Sequence, residues 1–230
     1  MIPMSLGFIL AGPISGWLSD KHGARLLATI GMFISGVTFM AFALFQADFA
    51  YLPFAAVLFI MGVGNGLFAS PNTASIMNSV PPEHRGAASG MRAAIQNSAQ
   101  TISLAIFFTI IIVSLSGSLP GALASAVTSA GAPSQLAQIF SSTPASGALF
   151  GAFLGYNPVQ TILNTLPSTV VSAIPPATVQ YLTGSTFFPN AISSPFMTAL
   201  KEAFVVGAIM CFVAAVCSAL RGDKYVHGQP

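Results

Sequence analysis

Two groups of residues in this sequence could take part in chemistry. The first is a short charged stretch, residues 16–25. It contains Asp20, Lys21 and Arg25, in a chain with only seven basic and five acidic residues. Such a concentration of charge indicates a place where the chain leaves hydrocarbon and turns in water. Gly16 and Gly23 would permit a sharp turn and a close approach of helices. Asp20 could cap the next helix or accept hydrogen bonds from a basic partner.

The second group consists of polar side chains inside two consecutive apolar stretches: Asn65, Asn72, Arg92, Gln96, Asn97 and Gln100. Arg92, Gln96 and Gln100 recur at every fourth position and therefore share one face of a helix, with Asn97 beside them. Polar residues within a membrane usually face the bundle interior or a water-filled cavity. Two interpretations remain open, a wall that contacts substrate and a set of interhelical hydrogen bonds worth about 0.6 kcal/mol each.

The sequence contains no pattern typical of an enzyme or a metal centre. Its three histidines lie apart from one another, and Cys211 and Cys217 lie on different faces of one predicted helix. Gly62, Gly64 and Gly66 lack the strand and the spacing of a nucleotide-binding loop, and favour close helix packing instead. We therefore predict no catalytic residue, no metal ion and no cofactor.

Apolar helices must carry these residues. Hydrophobic residues make up 54% of the chain, charged residues 5%, and the mean hydropathy is +0.80, whereas a soluble domain is about one quarter charged. A net charge of +2 gives no argument for a nucleic-acid partner. Five stretches match the roughly 20 residues of a spanning helix, and they are residues 2–18, 26–45, 52–77, 87–115 and 196–220. The predicted fold is all-α, a polytopic transmembrane helical bundle.

The distribution of basic residues predicts how the chain crosses the membrane. Most of them lie in loops on one side of the predicted helices: Lys21, Arg25, Arg85, Arg221 and Lys224. The positive-inside rule then places the N-terminus outside and the C-terminus in the cytoplasm of a multi-pass protein of the cell membrane. Lys201, which lies beside Glu202 in the predicted first turn of the fifth helix, is the exception.

The sequence predicts three regions. Residues 1–115 would form four spanning helices, residues 116–195 an outer loop with short helices, and residues 196–230 the last helix and a cytoplasmic tail. The middle region contains no charged residue and several prolines, which favours a lid of short helices and turns at the outer interface. A re-entrant hairpin near residues 147–166 is the alternative.

The charged stretch Gly16-x-x-x-Asp20-Lys21-x-Gly23-x-Arg25 resembles the signature loop of the major facilitator superfamily, which joins the second and third helices of each six-helix half. Lys21 stands where the family usually has Arg. Residues 61–71 and 79–90 resemble the fourth and fifth helices in the C-terminal half of drug:proton antiporters of the fourteen-helix group. The resemblance implies that five helices of that half are present, and that its first helix and the N-terminal half, with most proton-carrying acids, are absent.

This resemblance implies a secondary active transporter that exports small amphipathic organic molecules in exchange for protons. Two helical bundles in the lipid bilayer would move against each other around a shared site. The partner would be the missing N-terminal half or a second copy of this chain. In the family, the residue that matches Asp20 belongs to a cytoplasmic gate. The second hypothesis is a non-transporting membrane subunit or a truncated remnant that acts only through contacts between helices.

Overall fold

The computed structural model describes residues 1–142, 144, 146–147, 151, 157–166 and 174–222. These residues form two compact units, one from residues 1–105 and 203–222 and the other from described residues between 106 and 202. Throughout the described residues the regular secondary structure is helical. The predicted all-α class is therefore confirmed, whereas the predicted three-region division and the position of each region across the membrane stay predictions.

The helices are numbered here in chain order, and eight α-helices have both ends among the described residues. They are α1 Ile2–His22, α2 Ala24–Leu44, α3 Tyr51–Asn78, α4 Arg85–Ser129, α5 Ser134–Ser141, α6 Val159–Thr165, α7 Pro176–Thr183 and α8 Phe187–Ala219, with a short 3₁₀ turn Pro82–His84 before α4. Five of these, α1 to α4 and α8, are long and apolar enough to cross a membrane, which confirms the five predicted spanning helices.

The turn between α1 and α2 is a single residue, Gly23. Its φ of 82° and ψ of 158° lie in a region that is essentially reserved for glycine. Its N–H donates to the carbonyl of Ser19 at 2.8 Å and closes the last turn of α1. The charged stretch is therefore not an open loop, because Asp20 and Lys21 lie in the last turn of α1 and Arg25 lies in the first turn of α2.

Helices α1, α2 and α3 pack through glycines at the points where their backbones approach most closely. A Cβ at Gly7 of α1 would collide with the Phe59 carbonyl of α3, and one at Gly31 of α2 would lie 2.5 Å from the Gly64 carbonyl of α3. Ser15 donates to the Gly66 carbonyl at 2.9 Å across the contact between α1 and α3. These contacts give the glycines of residues 62–66 the packing role that the sequence predicts.

In the same unit, the end of α8 packs on α2 through aromatic side chains. Phe212 fills the notch at Gly36, where an added Cβ would lie 2.7 Å from the ring, and its ring centroid is 5.5 Å from that of Phe33. Nearer the other end of α2, the ring of Phe42 lies 5.6 Å from that of Phe204. These contacts anchor the part of α8 after residue 203 along α2.

Two spanning helices extend beyond their predicted limits. The fourth continues past residue 115 to Ser129, and the fifth begins at Phe187 instead of residue 196. Four apolar side chains of α4 recur every fourth residue and are fully buried: Leu115, Leu119, Leu123 and Val127. The stability gained by burying them outweighs the loss of the one backbone hydrogen bond that Pro120 cannot donate.

One consequence of the longer fifth helix concerns Lys201 and Glu202. The sequence placed them in its first turn, but α8 begins well before them at Phe187, so this expectation is wrong. Pro195 lies within α8 without ending it.

The unit that lies between residues 106 and 202 contains the short helices α5 to α7. The Asn157 amide joins two of them, because its Nδ2 donates to the carbonyls of Leu182 at 2.9 Å and Gly184 at 2.8 Å, while its Oδ1 accepts from the N–H of Val159 at 3.0 Å. Thr178 of α7 donates to the Ala130 carbonyl after α4. The alternative re-entrant hairpin near residues 147–166 falls partly outside the described residues.

Candidate functional site

Five ionisable side chains meet at one end of the unit formed by residues 1–105 and 203–222. They line a cavity of about 350 Å³, which we call the charged cavity, between the end of α1, the start of α2, the end of α3 and the residues after α8. Its ionisable lining residues are Asp20, Lys21, His22, Arg25 and Arg221. The structure thus brings together the predicted gate residues Asp20, Lys21, Gly23 and Arg25, and it adds Arg221, for which the sequence predicted no site role.

Gly16, the remaining predicted gate residue, has a packing role in this structure. A Cβ at this position would lie 2.8 Å from the hydroxyl of Ser70 on α3. Gly16 therefore lets α1 lie close to α3 beneath the charged cavity.

Two cations of the charged cavity have defined partners. The Lys21 ammonium lies 4.0 Å from the ring centroid of Trp17, one turn earlier on α1, in a cation–π contact. The Arg221 guanidinium donates through Nη2 to Oδ1 of Asn72 on α3 at 2.5 Å. Its Nη1 is buried without a hydrogen-bond partner among the described residues, so one strong donor stays unused.

A second cavity, of about 640 Å³, lies between α1, α3 and the first part of α4. We call it the polar cavity, and its principal lining residues are Phe8, Gly12, Ser70, Thr73, Arg92 and Gln96. Arg92 is half-buried and donates through Nη1 to the Thr73 hydroxyl at 3.1 Å. Thr73 in turn donates to the Ala69 carbonyl at 2.8 Å, so its hydroxyl is fixed as an acceptor for Arg92. The Nε of Arg92 is buried without a partner in the described structure.

The six predicted cavity residues do not form one wall. Only Arg92 and Gln96 line the polar cavity. Asn65 donates to the Met61 carbonyl of its own helix at 3.1 Å, and Asn72 accepts from Arg221. Asn97 and Gln100 are exposed on α4.

Sequence reasoning missed two hydroxyl residues of the polar cavity, Ser70 and Thr73. Their spacing of three residues on α3 places them on one helix face, and this signal was available in the sequence. Their pairing with Arg92 was not, because it depends on how α4 packs against α3.

The match to a family model decides what kind of protein carries these two cavities. A model of the Major Facilitator Superfamily matches residues 2–147, which is more than half of the chain. The chain belongs to the Major Facilitator Superfamily. It is thus a multi-pass membrane protein of a transporter family, as the charged stretch predicted.

Individual relatives are also transporters or resistance proteins. The chain is 35% identical over 108 residues to the riboflavin transporter RibZ of Clostridioides difficile, a region that covers 47% of this chain and 24% of the relative. It is 34% identical over 91 residues to the uncharacterized transporter YebQ of Escherichia coli, covering 40% and 20%. It is 29% identical over 118 residues to the methyl viologen resistance protein SmvA of Salmonella typhimurium, covering 50% and 23%.

The chain thus spans about a quarter or less of the length of these curated relatives. No solved structure matches it.

Proposed function

We propose that this chain supplies part of the substrate-binding wall of a secondary active transporter, which exports small amphipathic organic molecules in exchange for protons. The observation that carries the proposal is the polar cavity, in which Arg92 of α4 is held by Thr73 of α3 beside Gln96. Its volume lies within the roughly 300–1000 Å³ of small-molecule sites. Residues from three helices contribute to it, so a ligand there would contact elements that move when a bundle rocks.

The chemistry of the polar cavity favours substrates that accept hydrogen bonds. Arg92 is its one charged lining residue among those described, and a guanidinium group donates hydrogen bonds but accepts none. A ligand carbonyl or ring nitrogen is the matching acceptor. The exposed face of Phe8 and the small residues beside it suit a flat apolar body. Neutral or anionic aromatic molecules therefore fit better than cations.

The two relatives that are named after a compound differ on this point. Riboflavin is a neutral, acceptor-rich aromatic molecule, and methyl viologen is a dication. The positive charge of Arg92 supports the first type as the substrate class of this chain. The polar cavity has no acidic lining residue among those described, so we place the proton-carrying carboxylate on the partner bundle.

Direct binding tests the proposed wall. The purified chain in detergent should quench riboflavin fluorescence in a saturable way and should bind methyl viologen at least about tenfold more weakly, because a dication is repelled by Arg92. Arg92→Gln should weaken riboflavin binding by about tenfold or more, the loss typical of a charge-assisted hydrogen bond.

The matched control is Arg85→Gln, since Arg85 begins α4 but does not line the polar cavity. This control should bind riboflavin as the unaltered chain does. Equal binding by Arg92→Gln and the unaltered chain would refute the proposal and favour the alternative, a non-transporting membrane subunit that acts through helix contacts.

A further inference from the structure

We propose that the charged cavity is a binding site for a phosphate-bearing anion. The proposal does not depend on transport, because its donors come from the lining of the charged cavity and not from Arg92 or Gln96. The charged cavity is lined by three permanent cations, Lys21, Arg25 and Arg221, and by one carboxylate, Asp20. A cavity with this excess of positive charge attracts an anion.

The donors around the charged cavity match phosphate oxygens. Arg221 Nη2 is used by Asn72, but Nη1 is buried and has no partner among the described residues. Guanidinium groups bind phosphate through several parallel hydrogen bonds, more specifically than an ammonium does. Arg25, which is exposed, and Arg221 thus line the charged cavity with donors of the kind that binds phosphate.

The first turn of α2 adds a second source of donors. Its leading N–H groups have no acceptor within the helix, and the N-cap residue Gly23 has no side chain to supply one. Ala24 and Arg25 of this turn line the charged cavity. The positive end of the 21-residue helix thus faces the same space as the guanidinium groups, and one phosphate could bridge the start of α2 to Arg221.

Two sources could supply this group, a lipid headgroup or a soluble phosphate. Trp17, whose exposed ring supports Lys21, is of the residue type that collects at membrane–water interfaces. It places the charged cavity at the depth of lipid headgroups. A phosphomonoester carries about −1.5 to −2 charges at neutral pH, which makes phosphatidic acid the best-matched lipid probe and inorganic phosphate the matching soluble probe.

Trp17 is the one tryptophan of the chain and lies one turn from the charged cavity, so its fluorescence can report binding. The full chain in detergent would be titrated with inorganic phosphate, and the chain in lipid nanodiscs would be compared with phosphatidic acid and with phosphatidylcholine alone. We expect a saturable change in fluorescence. A response to both probes identifies a general phosphate site, and a response to phosphatidic acid only identifies a headgroup site.

Variants separate this site from general attraction to positive charge. Arg25→Gln and Arg221→Gln should each raise the dissociation constant by about tenfold or more, whereas Arg85→Gln, which removes an equal charge outside the cavity, should leave it unchanged. Arg25 is exposed, so its variant remains informative if Arg221→Gln fails to fold. The proposal is overturned if neither probe changes the fluorescence, or if Arg85→Gln weakens binding as much as Arg25→Gln.

Discussion

At the scale of single residues, the chain depends on a few side chains whose chemistry only one residue type supplies. Gly23 turns the chain between α1 and α2 with a backbone conformation that other residues avoid. Arg92 needs both a long stem and a planar fork to reach Thr73 from α4. The charged cavity and the polar cavity therefore rest on individual residues more than on the general hydrophobicity of the helices.

Replacing Gly23 tests the turn. Gly23→Ala should lower the free energy of unfolding by about 1–3 kcal/mol, because alanine must adopt a strained backbone conformation there. Gly90→Ala is the control, since Gly90 lies within α4 and a Cβ there would meet no atom within 4 Å. Unfolding of the purified chain in mixed detergent, followed by circular dichroism, measures both. Equal stability of the two variants would contradict the account of the turn.

Asp20 is the residue whose predicted role reaches furthest beyond the structure. We propose that it contributes to a gate that closes the cytoplasmic side, and that Asp20→Asn abolishes transport in native membranes without preventing insertion. A charge-assisted contact is worth about 1.5–3 kcal/mol, enough to shift a two-state equilibrium tenfold or more. Asp48→Asn, in the exposed loop between α2 and α3, should transport normally. A normal transport rate for Asp20→Asn would remove the gate role.

At the scale of elements, the sequence predicted the spanning helices well and their ends less well. Length and hydropathy are enough to predict a spanning helix, because in hydrocarbon the backbone must form its hydrogen bonds within the helix. The end of α4 lies beyond its predicted limit because prolines such as Pro120, in an uncharged stretch, favour a loop in the sequence. The leucines at four-residue spacing as far as Leu123 carried the contrary signal, and they are buried.

The two cavities show which contacts can be predicted from the sequence and which cannot. Spacing along one helix joined Arg92 to Gln96, which line one cavity, and closeness in sequence joined Asp20, Lys21 and Arg25, which line the other. It could not predict that Asn72 turns to Arg221, because that contact joins residues 149 apart in sequence and depends on how α8 ends beside α3. Residues that share one face of a helix can be predicted from periodicity, whereas contacts between different helices depend on how those helices pack.

The orientation of the elements across the membrane is a prediction from basic residues. In a chain with Cys211 and Cys217 replaced by serine, Asp48→Cys should react with a membrane-impermeant maleimide added to intact cells, and His84→Cys should not. Both positions are exposed and lie outside the long helices. After the cells are broken open, His84→Cys should react as well. The reverse pattern in intact cells would invert the topology and place the charged cavity outside.

At the scale of the whole molecule, membership of the Major Facilitator Superfamily sets what the helices are for. Transport in such a family requires two bundles that move against each other around a shared site. The exposed polar side chains Asn97 and Gln100 on α4 are costly in hydrocarbon. We therefore propose that they face a partner bundle in the assembled transporter.

The chain by itself should accordingly be inactive. Reconstituted alone in liposomes with an imposed pH gradient, it should release trapped riboflavin no faster than protein-free liposomes do. The Arg92→Gln variant provides the control, since it should behave identically. Gradient-driven release by the unaltered chain, lost in the variant, would mean that copies of this chain form a complete transporter without another bundle.

Transport in native membranes tests the central claim most directly. Inverted membrane vesicles would be prepared from cells of the native host, which supply the partner bundle, after deletion of the gene for this chain and expression of either the unaltered chain or its Arg92→Gln variant. Uptake of labelled riboflavin would be followed on energising the proton gradient. The account predicts uptake with the unaltered chain that a protonophore abolishes, and a loss of about tenfold or more with Arg92→Gln. Equal uptake with the two chains, or with no chain at all, would contradict it.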